Sequence, residues 1–425
     1  MDRDTAFEMA TSNIRVGAGT TMEVGMDLKD MGVDRALVLT DPYLAQLSPV
    51  HRLLESLDAE GIVFQLYDQV HVEPTDGSFK EAISIATEGG FDGFVAIGGG
   101  STMDTAKAAN LYSTYPAAFL DYVNAPIGKG NPVPGPLKPL VAIPTTTGTG
   151  SETTGVAIFD FEELHAKTGI AHRRLKPTLG VLDPENLHEL PAAVAASTGL
   201  DVLSHALESY TALPFDQRPR PERPVLRPAY QGSNPISDLW ALEALRIVAK
   251  YLPRVFRDAD DVEAKTSMLM AASFAGIGFG NAGVHLPHGM SYPVASMVTS
   301  FLPSGYPTNY PLVPHGIAVI VNAPAVFRFT ASACPERHLQ AAAVLGASIE
   351  GASLSDAGKI LADRLIEMMR EMEMPNGLGD LGYGSEHLPA LVQGTLPQHR
   401  VTKLAPRAAA EEDLTGLFED AMSYW

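Results

Sequence analysis

Hydrophobic positions along the chain fall into two regimes. Up to about residue 190, short apolar runs alternate with stretches of helical spacing. The runs 35–41 (RALVLTD), 62–68 (IVFQLYD), 93–100 (GFVAIGGG), 139–147 (PLVAIPTTT) and 178–184 (TLGVLDP) are short, rich in branched residues and bounded by Gly, Pro or Asp. Those features predict strands. Between them, SPVHRLLESLDAEG and GSFKEAISIATEGG carry apolar residues at helical spacing and stop at glycine, which predicts helices. Strands alternating with helices predict a parallel sheet covered by helices. Beyond about Asn186 the strand signal disappears. LPAAVAASTGLDVLSHALESY, ISDLWALEALRIVAKYLPRVF, DVEAKTSMLMAASFAGIGFG, ERHLQAAAVLG and SDAGKILADRLIEMMREMEM all have helical spacing. The predicted organisation is an α/β domain over residues 1–188 followed by an all-helical domain over residues 189–425.

Charge narrows the partners. With 50 acidic against 30 basic residues the chain carries a formal charge of −20, and such a surface repels a nucleic-acid backbone. No apolar run reaches a membrane span: the longest, GIAVIVNAPAVF, is interrupted by Asn322 and Pro324. The lone cysteine, Cys334, has no second thiol for a disulfide or a metal pair. The start, MDRDTAFEMATSNIRVG, has neither a basic segment leading into an apolar one nor an Arg-rich transit composition. The expected location is therefore the cytoplasm.

Two glycine-rich turns follow predicted strands. VAIGGGSTMDTAK runs from a strand through Gly98, Gly99 and Gly100 into a helix opened by Ser101. Glycine lets backbone approach a ligand closely, and the free N–H groups of a helix start attract anions such as a pyrophosphate. The spacing is not GxGxxG, and a purely structural turn accounts for one such segment as well. A second turn, IPTTTGTGSE, adds hydroxyls from Thr145, Thr146, Thr147, Thr149 and Ser151. Asp41 ends the first predicted strand, where a carboxylate can accept hydrogen bonds from a ribose diol and repel a 2′-phosphate, favouring NAD over NADP. An Asp-Pro turn explains Asp41 equally well. Together the three elements predict a Rossmann-like dinucleotide site at the carboxyl ends of the strands.

The second chemical feature lies in the helical half. Asp201 and His205 stand four residues apart and so share a helical face. Alone, this pair fits an exposed or ion-paired helix face better than a ligand set. GNAGVHLPHGMSYP adds His285 and His288, and YPLVPHGIAVI adds His315; both His288 and His315 are preceded by proline and followed by glycine. One carboxylate with three imidazoles and no sulfur suits Fe²⁺ or Zn²⁺.

In their order along the chain GGGSTMDTAK, PTTTGTGSE, GLDVLSHALES, HGMSYP and PHGIAV resemble the iron-containing alcohol dehydrogenase family, from SNIRVGAGTT at the front to TKLAPR near the end. The resemblance implies a dinucleotide-binding α/β domain followed by a helical domain, with metal and nicotinamide in the cleft between them. It implies metal ligands at Asp201, His205, His288 and His315, with Fe²⁺ ahead of Zn²⁺. Pyrophosphate contacts are implied at Gly99, Gly100, Ser101 and Asp104, and further cofactor contacts at Thr145, Thr146 and Thr149 with Lys167 nearby. His285 falls outside the HGM register and takes a supporting role. Tyr292 stands where many members carry another histidine, so that histidine's proton-relay role does not carry over.

One insertion is longer than usual for the family: LPFDQRPRPERPVLRPAYQGSNPISD. It holds Arg218, Arg220, Arg223 and Arg227 among prolines. A solvated loop explains it; so does a stiffened receptor for a substrate carboxylate, because guanidinium forks bind carboxylates bidentately. With GTLPQHRVTKLAPR, this insertion resembles the hydroxyacid-oxoacid transhydrogenase branch of the family. That implies hydride transfer from 4-hydroxybutyrate through tightly bound NAD to 2-oxoglutarate, giving succinic semialdehyde and 2-hydroxyglutarate. The alternative is an NAD-dependent alcohol or 4-hydroxybutyrate dehydrogenase that releases NADH each turnover. The expected partners are small hydroxy and oxo acids, with neither nucleic acid nor membrane, and the expected assembly is a homo-oligomer.

Overall fold

The computed structural model describes residues 2–164, 166–306, 308 and 310–425. Packing divides the chain into two units, one of residues 10–190 and one of residues 191–425 joined by the first nine residues. In the first unit the strands are β1 (Asn13–Val16), β2 (Arg35–Leu39), β3 (Val63–Tyr67), β4 (Gly93–Gly98), β5 (Leu140–Pro144), β6 (Val156–Phe161), β7 (Ala166–Ala171) and β8 (Leu179–Leu182). The helices are α1 (Val24–Asp30), α2 (Ser48–Ala59), α3 (Asp76–Gly89), α4 (Gly100–Thr114) and the short α5 (Phe119–Tyr122).

Six strands form one parallel sheet in the order β1-β8-β5-β4-β2-β3. The central strands β4, β5 and β8 are buried along their whole length, as strands covered on both faces must be. Alternation sorts their side chains: Val95 and Ile97 face the cluster built with Leu28 of α1 and Leu53 and Leu57 of α2. Phe94 and Ala96 face Ala82 and Ala86 of α3 and Met103 and Ala106 of α4. Chain order reverses between β2 and β4, because β3 lies outside β2 and the chain then crosses to β2's other side. Ligands of open α/β sheets bind at the carboxyl ends beside such a reversal. Asp41 and the Gly98–Gly100 turn flank it.

The five predicted strands are all present. Sequence missed β1, which pairs on one side only and has no fully buried residue, and the antiparallel hairpin β6–β7. AKTGIA lacks the apolar alternation that marks a strand.

The second unit contains α6 (Ala192–Thr211), α7 (Pro235–Arg257), α8 (Val262–Ala282), α9 (Leu286–Ser296), α10 (His315–Ile320), α11 (Ala323–Thr330), α12 (Pro335–Val344), α13 (Ala357–Glu371), α14 (Leu388–Thr395), α15 (His399–Thr402) and α16 (Glu411–Asp420). Helices α7, α8, α10 and α12 pack on α6, so every residue of α6 from Gly199 to Thr211 is buried, polar ones included. Among the described residues no single helix is long and apolar enough to cross a membrane.

Sequence placed residues 1–9 in the α/β domain and the boundary at 188; packing places residues 1–9 with the helical unit and the boundary at 190. The cause is electrostatic. Buried Asp4 accepts from Arg227 through both oxygens, at 3.0 and 3.1 Å, and from Arg218 at 2.8 Å. Phe7 packs edge-on against Phe215, and Gln231 bonds the backbone of Glu8 twice. Two of the four insertion arginines therefore hold this chain's own carboxylate. The other two, Arg220 and Arg223, are exposed. The substrate-receptor role expected of this set is not what Arg218 and Arg227 are built for.

Removing one member of a buried ion pair strands the other, so Asp4→Ala should cost about 3 kcal/mol and expose residues 2–9 to limited proteolysis. Hydrogen bonds from Arg227, working against burial, hold the Asp4 carboxyl below its ordinary value. Its contribution is thus complete above about pH 4 and is lost as pH falls further. A denaturation series on wild type and variant should converge at low pH.

Candidate metal centre and cofactor turns

Three helices bring four predicted ligands together. Asp201 and His205 lie one turn apart on α6, His288 lies in α9, and His315 is the first residue of α10. One donor atom from each lies within 4.8 Å of the others. Asp201 Oδ1 is 3.7 Å from His205 Nε2, 3.6 Å from His288 Nε2 and 3.9 Å from His315 Nε2. Asp201, His205 and His288 are buried, and His315 is partly exposed. The glycine after His315 has a packing reason: a Cβ on Gly316 would lie 2.0 Å from the Ser197 carbonyl oxygen on α6. Only glycine lets α10 approach closely enough to deliver His315.

Sequence missed Glu208. It sits on α6 seven residues after Asp201, is fully buried, and accepts from His288 Nδ1 at 2.6 Å. Its second oxygen accepts the backbone N–H of His285 at 2.6 Å. The periodicity Asp201–His205–Glu208 was the available signal. Burial disfavours the Glu208 carboxylate, but the charge and hydrogen bond of His288 more than offset this and lower its pKa. Burial likewise opposes charge on His288, and Glu208 outweighs it, raising the ring's proton affinity. The proton so held belongs on Nδ1, leaving the Nε2 lone pair directed at the cluster. His205 is pushed far the other way, by burial and then by its neighbouring imidazoles, so it stays neutral.

His285 is not part of the cluster. Its Nδ1 accepts the Leu286 N–H at 2.8 Å and its Nε2 meets the Thr211 hydroxyl at 3.0 Å. Burial lowers it to about 4. It caps α9 as a neutral ring. Tyr292, one turn beyond His288, accepts from Arg400 Nη2 at 3.1 Å.

The residues fit a divalent ion. An oxygen and three imidazole nitrogens without thiolate are the donors Fe²⁺ and Zn²⁺ accept. His288 Nε2 is shielded from water and has no hydrogen-bond partner, which is costly unless something else satisfies it.

In the α/β unit the two glycine turns lock together. Thr145 N–H donates to Gly98 at 3.1 Å, and a Cβ on Gly100 would meet Thr149 Cγ2 at 2.7 Å. Gly99 caps α4 without any side-chain hydrogen bond, so the first-turn N–H groups are open to an anion. The hydroxyl of Thr145 is buried and unpartnered; Thr146 lies beside Gly99. These features fit a dinucleotide pyrophosphate. Ser101 Oγ accepts the Glu73 N–H at 3.1 Å.

Three residues expected to contact the cofactor have partners within the protein. Asp104 ties α4 to the hairpin, accepting from Ile158 N–H at 2.9 Å and the Ser151 hydroxyl at 2.8 Å; a carboxylate would also repel a phosphate. Beneath it, fully buried Lys107 donates to Ser151 and, at 2.9 Å, to the Val156 carbonyl. Lys167 is buried between Glu73 at 2.6 Å and Asp160 at 3.0 Å, so two internal carboxylates already engage its ammonium. Asp41 Oδ1 accepts from Tyr43 and Leu44 N–H, both at 2.9 Å, which is the turn-forming arrangement.

Gly100→Ala should therefore lower the thermal midpoint by several degrees, an overpacking cost of about 1–3 kcal/mol. Adding Thr149→Ala in that background should recover most of it. Differential scanning calorimetry of the single and double variants checks the coupling.

Comparison with known proteins gives the family. The sequence profile of Iron-containing alcohol dehydrogenase matches residues 11–184, and that of the Fe-containing alcohol dehydrogenase family, C-terminal, matches residues 229–422. The mitochondrial hydroxyacid-oxoacid transhydrogenase of Rattus norvegicus is 60% identical over 99% of this chain and 91% of its own length. That of Homo sapiens is 58% identical with the same coverage. Both carry mitochondrial names, which overturns the cytoplasmic location expected from the N-terminal composition. Among solved structures, 1,3-propanediol oxidoreductase superposes with a TM-score of 0.85 at 26% identity, covering 98% of this chain and all of that one. Sulfoacetaldehyde reductase from Bifidobacterium kashiwanohense, in complex with NAD+, superposes with a TM-score of 0.80 at 26% identity, covering 99% of this chain and all of that one. The chain belongs to the iron-containing alcohol dehydrogenase family.

Proposed function

We propose that this protein is a hydroxyacid-oxoacid transhydrogenase. It oxidises 4-hydroxybutyrate to succinic semialdehyde and returns the hydride to 2-oxoglutarate, giving 2-hydroxyglutarate, through NAD that stays bound. The observation that carries this reading is identity of 60% to a relative of that name across 99% of the chain. Family membership implies a nicotinamide dinucleotide and a divalent metal; Fe²⁺ and NAD are the species proposed here.

Asp201, His205, His288 and His315 hold the ion, and the turns at Gly98–Ser101 and Thr145–Gly150 hold the dinucleotide. When bound, the ion supplies Lewis acidity to the substrate oxygen and the dinucleotide supplies a hydride acceptor and donor. The chain's own residues set the conditions for both. With an ion bound, Asp201 would contribute one negative charge and the three imidazoles would bind as neutral donors, so these four ligands would leave part of a divalent ion's positive charge to an oxygen that loses its proton. Glu208 fixes the proton of His288 on Nδ1 and so fixes the orientation of that ring. His285 keeps its own proton on Nε2 against Thr211 and takes no part in proton transfer. In the second half-reaction the same positions serve in reverse, which is ping-pong exchange of one hydride between two hydroxy/oxo pairs.

Purified holoenzyme given 4-hydroxybutyrate and 2-oxoglutarate, with no added nucleotide, should form succinic semialdehyde and 2-hydroxyglutarate in equal amounts. Failure to turn over without nucleotide, together with sustained NADH release when NAD is added, would establish a cofactor-releasing dehydrogenase instead. Glu208→Gln should lower metal affinity by roughly 10–100-fold while Asp201→Ala abolishes it. Both are read as metal content after dialysis against a graded chelator.

A further inference from the structure

Most partly buried arginines in this acidic protein are matched to carboxylates: Arg15 to Asp27, Arg218 and Arg227 to Asp4, Arg254 to Asp261, and Arg337 to Asp238. Arg400, in the short helix α15, makes no such pair among the described residues. Its Nη2 donates to the Tyr292 hydroxyl at 3.1 Å, and its guanidinium carbon lies 5.1 Å from the centre of the Tyr230 ring. Its Nη1 is shielded from solvent and has no hydrogen-bond partner. A partly buried guanidinium whose partners are two phenols, with one shielded N–H group unpartnered and no carboxylate beside it, has donor capacity left for an anion.

The place of this guanidinium matters. Tyr292 follows His288 by one turn of α9, a rise of about 6 Å, so Arg400 is held one turn from a proposed metal ligand. Helices α15 and α9 pack together. The wall is shared as well: Phe279 stacks on the His205 ring at 4.0 Å and meets Tyr230 edge-on at 6.5 Å. The aromatic surface that backs the cluster therefore continues into the surface that carries Arg400.

We propose that Arg400 is the receptor for the substrate's remote carboxylate and sets the preference for hydroxy acids over neutral alcohols. This rests on the transhydrogenase reading for its substrates. The chemistry of the two substrates explains why one fixed receptor serves both half-reactions. In 4-hydroxybutyrate and in 2-oxoglutarate, two methylenes separate the reacting carbon from the remote carboxyl carbon. A guanidinium at one distance from the reacting oxygen thus suits donor and acceptor alike. The insertion contributes through Tyr230, whose ring supports the guanidinium, while its own arginines hold Asp4 or face solvent.

The test compares 4-hydroxybutyrate with 4-hydroxybutyramide, its neutral isostere, on the holoenzyme. Arg400→Ala should raise KM for 4-hydroxybutyrate and 2-oxoglutarate by roughly 100-fold while KM for the amide changes less than about threefold. Arg400→Lys keeps the charge without the fork, and its KM for both acids should rise about tenfold; it decides the matter if the alanine variant does not fold. Equal effects on acid and amide overturn the assignment. Calorimetric titration with butyrate, which has no reacting group, separates this proposal from the reaction itself. Binding by wild type and its weakening by about tenfold in Arg400→Lys support the receptor even if no transhydrogenation is found. Absence of binding to wild type, or equal binding by both proteins, overturns it.

Discussion

The helical unit depends on a polar stripe inside a helix that is covered all round. Asp201, His205 and Glu208 fall on one face of α6, and burial denies them water. Such groups are tolerable only if the surrounding elements satisfy them. The N-terminus of α9 does so for Glu208 through the N–H of His285 and the ring of His288. Gly316 lets α10 come against α6 and add His315 to the remaining face. The docking of these helices and the assembly of the donor cluster are thus one event.

The α/β unit solves a different problem, holding two glycine turns rigid beside a reversal of strand order. It uses buried charge: Lys107 and Asp104 join α4, the second turn and the β6–β7 hairpin through Ser151 and the backbone of Val156 and Ile158. Burial raises the Asp104 carboxyl and lowers the Lys107 ammonium, so neither is stable alone, and the pair is retained as a unit. Lys167 with Glu73 and Asp160 repeats the device at the edge of the hairpin. Several residues whose motif suggested contact with a cofactor also tie together the frame that carries Gly99, Gly100 and Thr145.

Arginine shows how far residue type falls short of role. Four guanidiniums in one proline-rich loop suggested a carboxylate receptor, yet two of them share the carboxylate of Asp4, more than two hundred residues earlier in sequence. Arg400 lies outside that loop, yet among the described residues no carboxylate pairs with its partly buried guanidinium. A guanidinium's availability is set by which carboxylates the fold brings to it.

Local pattern by itself determined the central strands, the long helices, the two glycine turns and the Asp201–His205 pair, while the choice of His288 and His315 over His285 came from the family resemblance. The strands, helices, turns and pair follow from period, turn chemistry or the spacing of donors on one helical face, all of which act over a few residues. The edge strand β1 and the hairpin β6–β7 escaped because their stability comes from neighbours rather than from apolar alternation. Glu208 escaped because a carboxylate on a helix reads as a solvent-facing residue until burial of α6 is known. The N-terminal strap, the occupation of Arg218 and Arg227, and the open guanidinium of Arg400 were decided by tertiary structure alone. Charge pairing acts between residues distant in sequence, and only folding specifies which charges share a low-dielectric space.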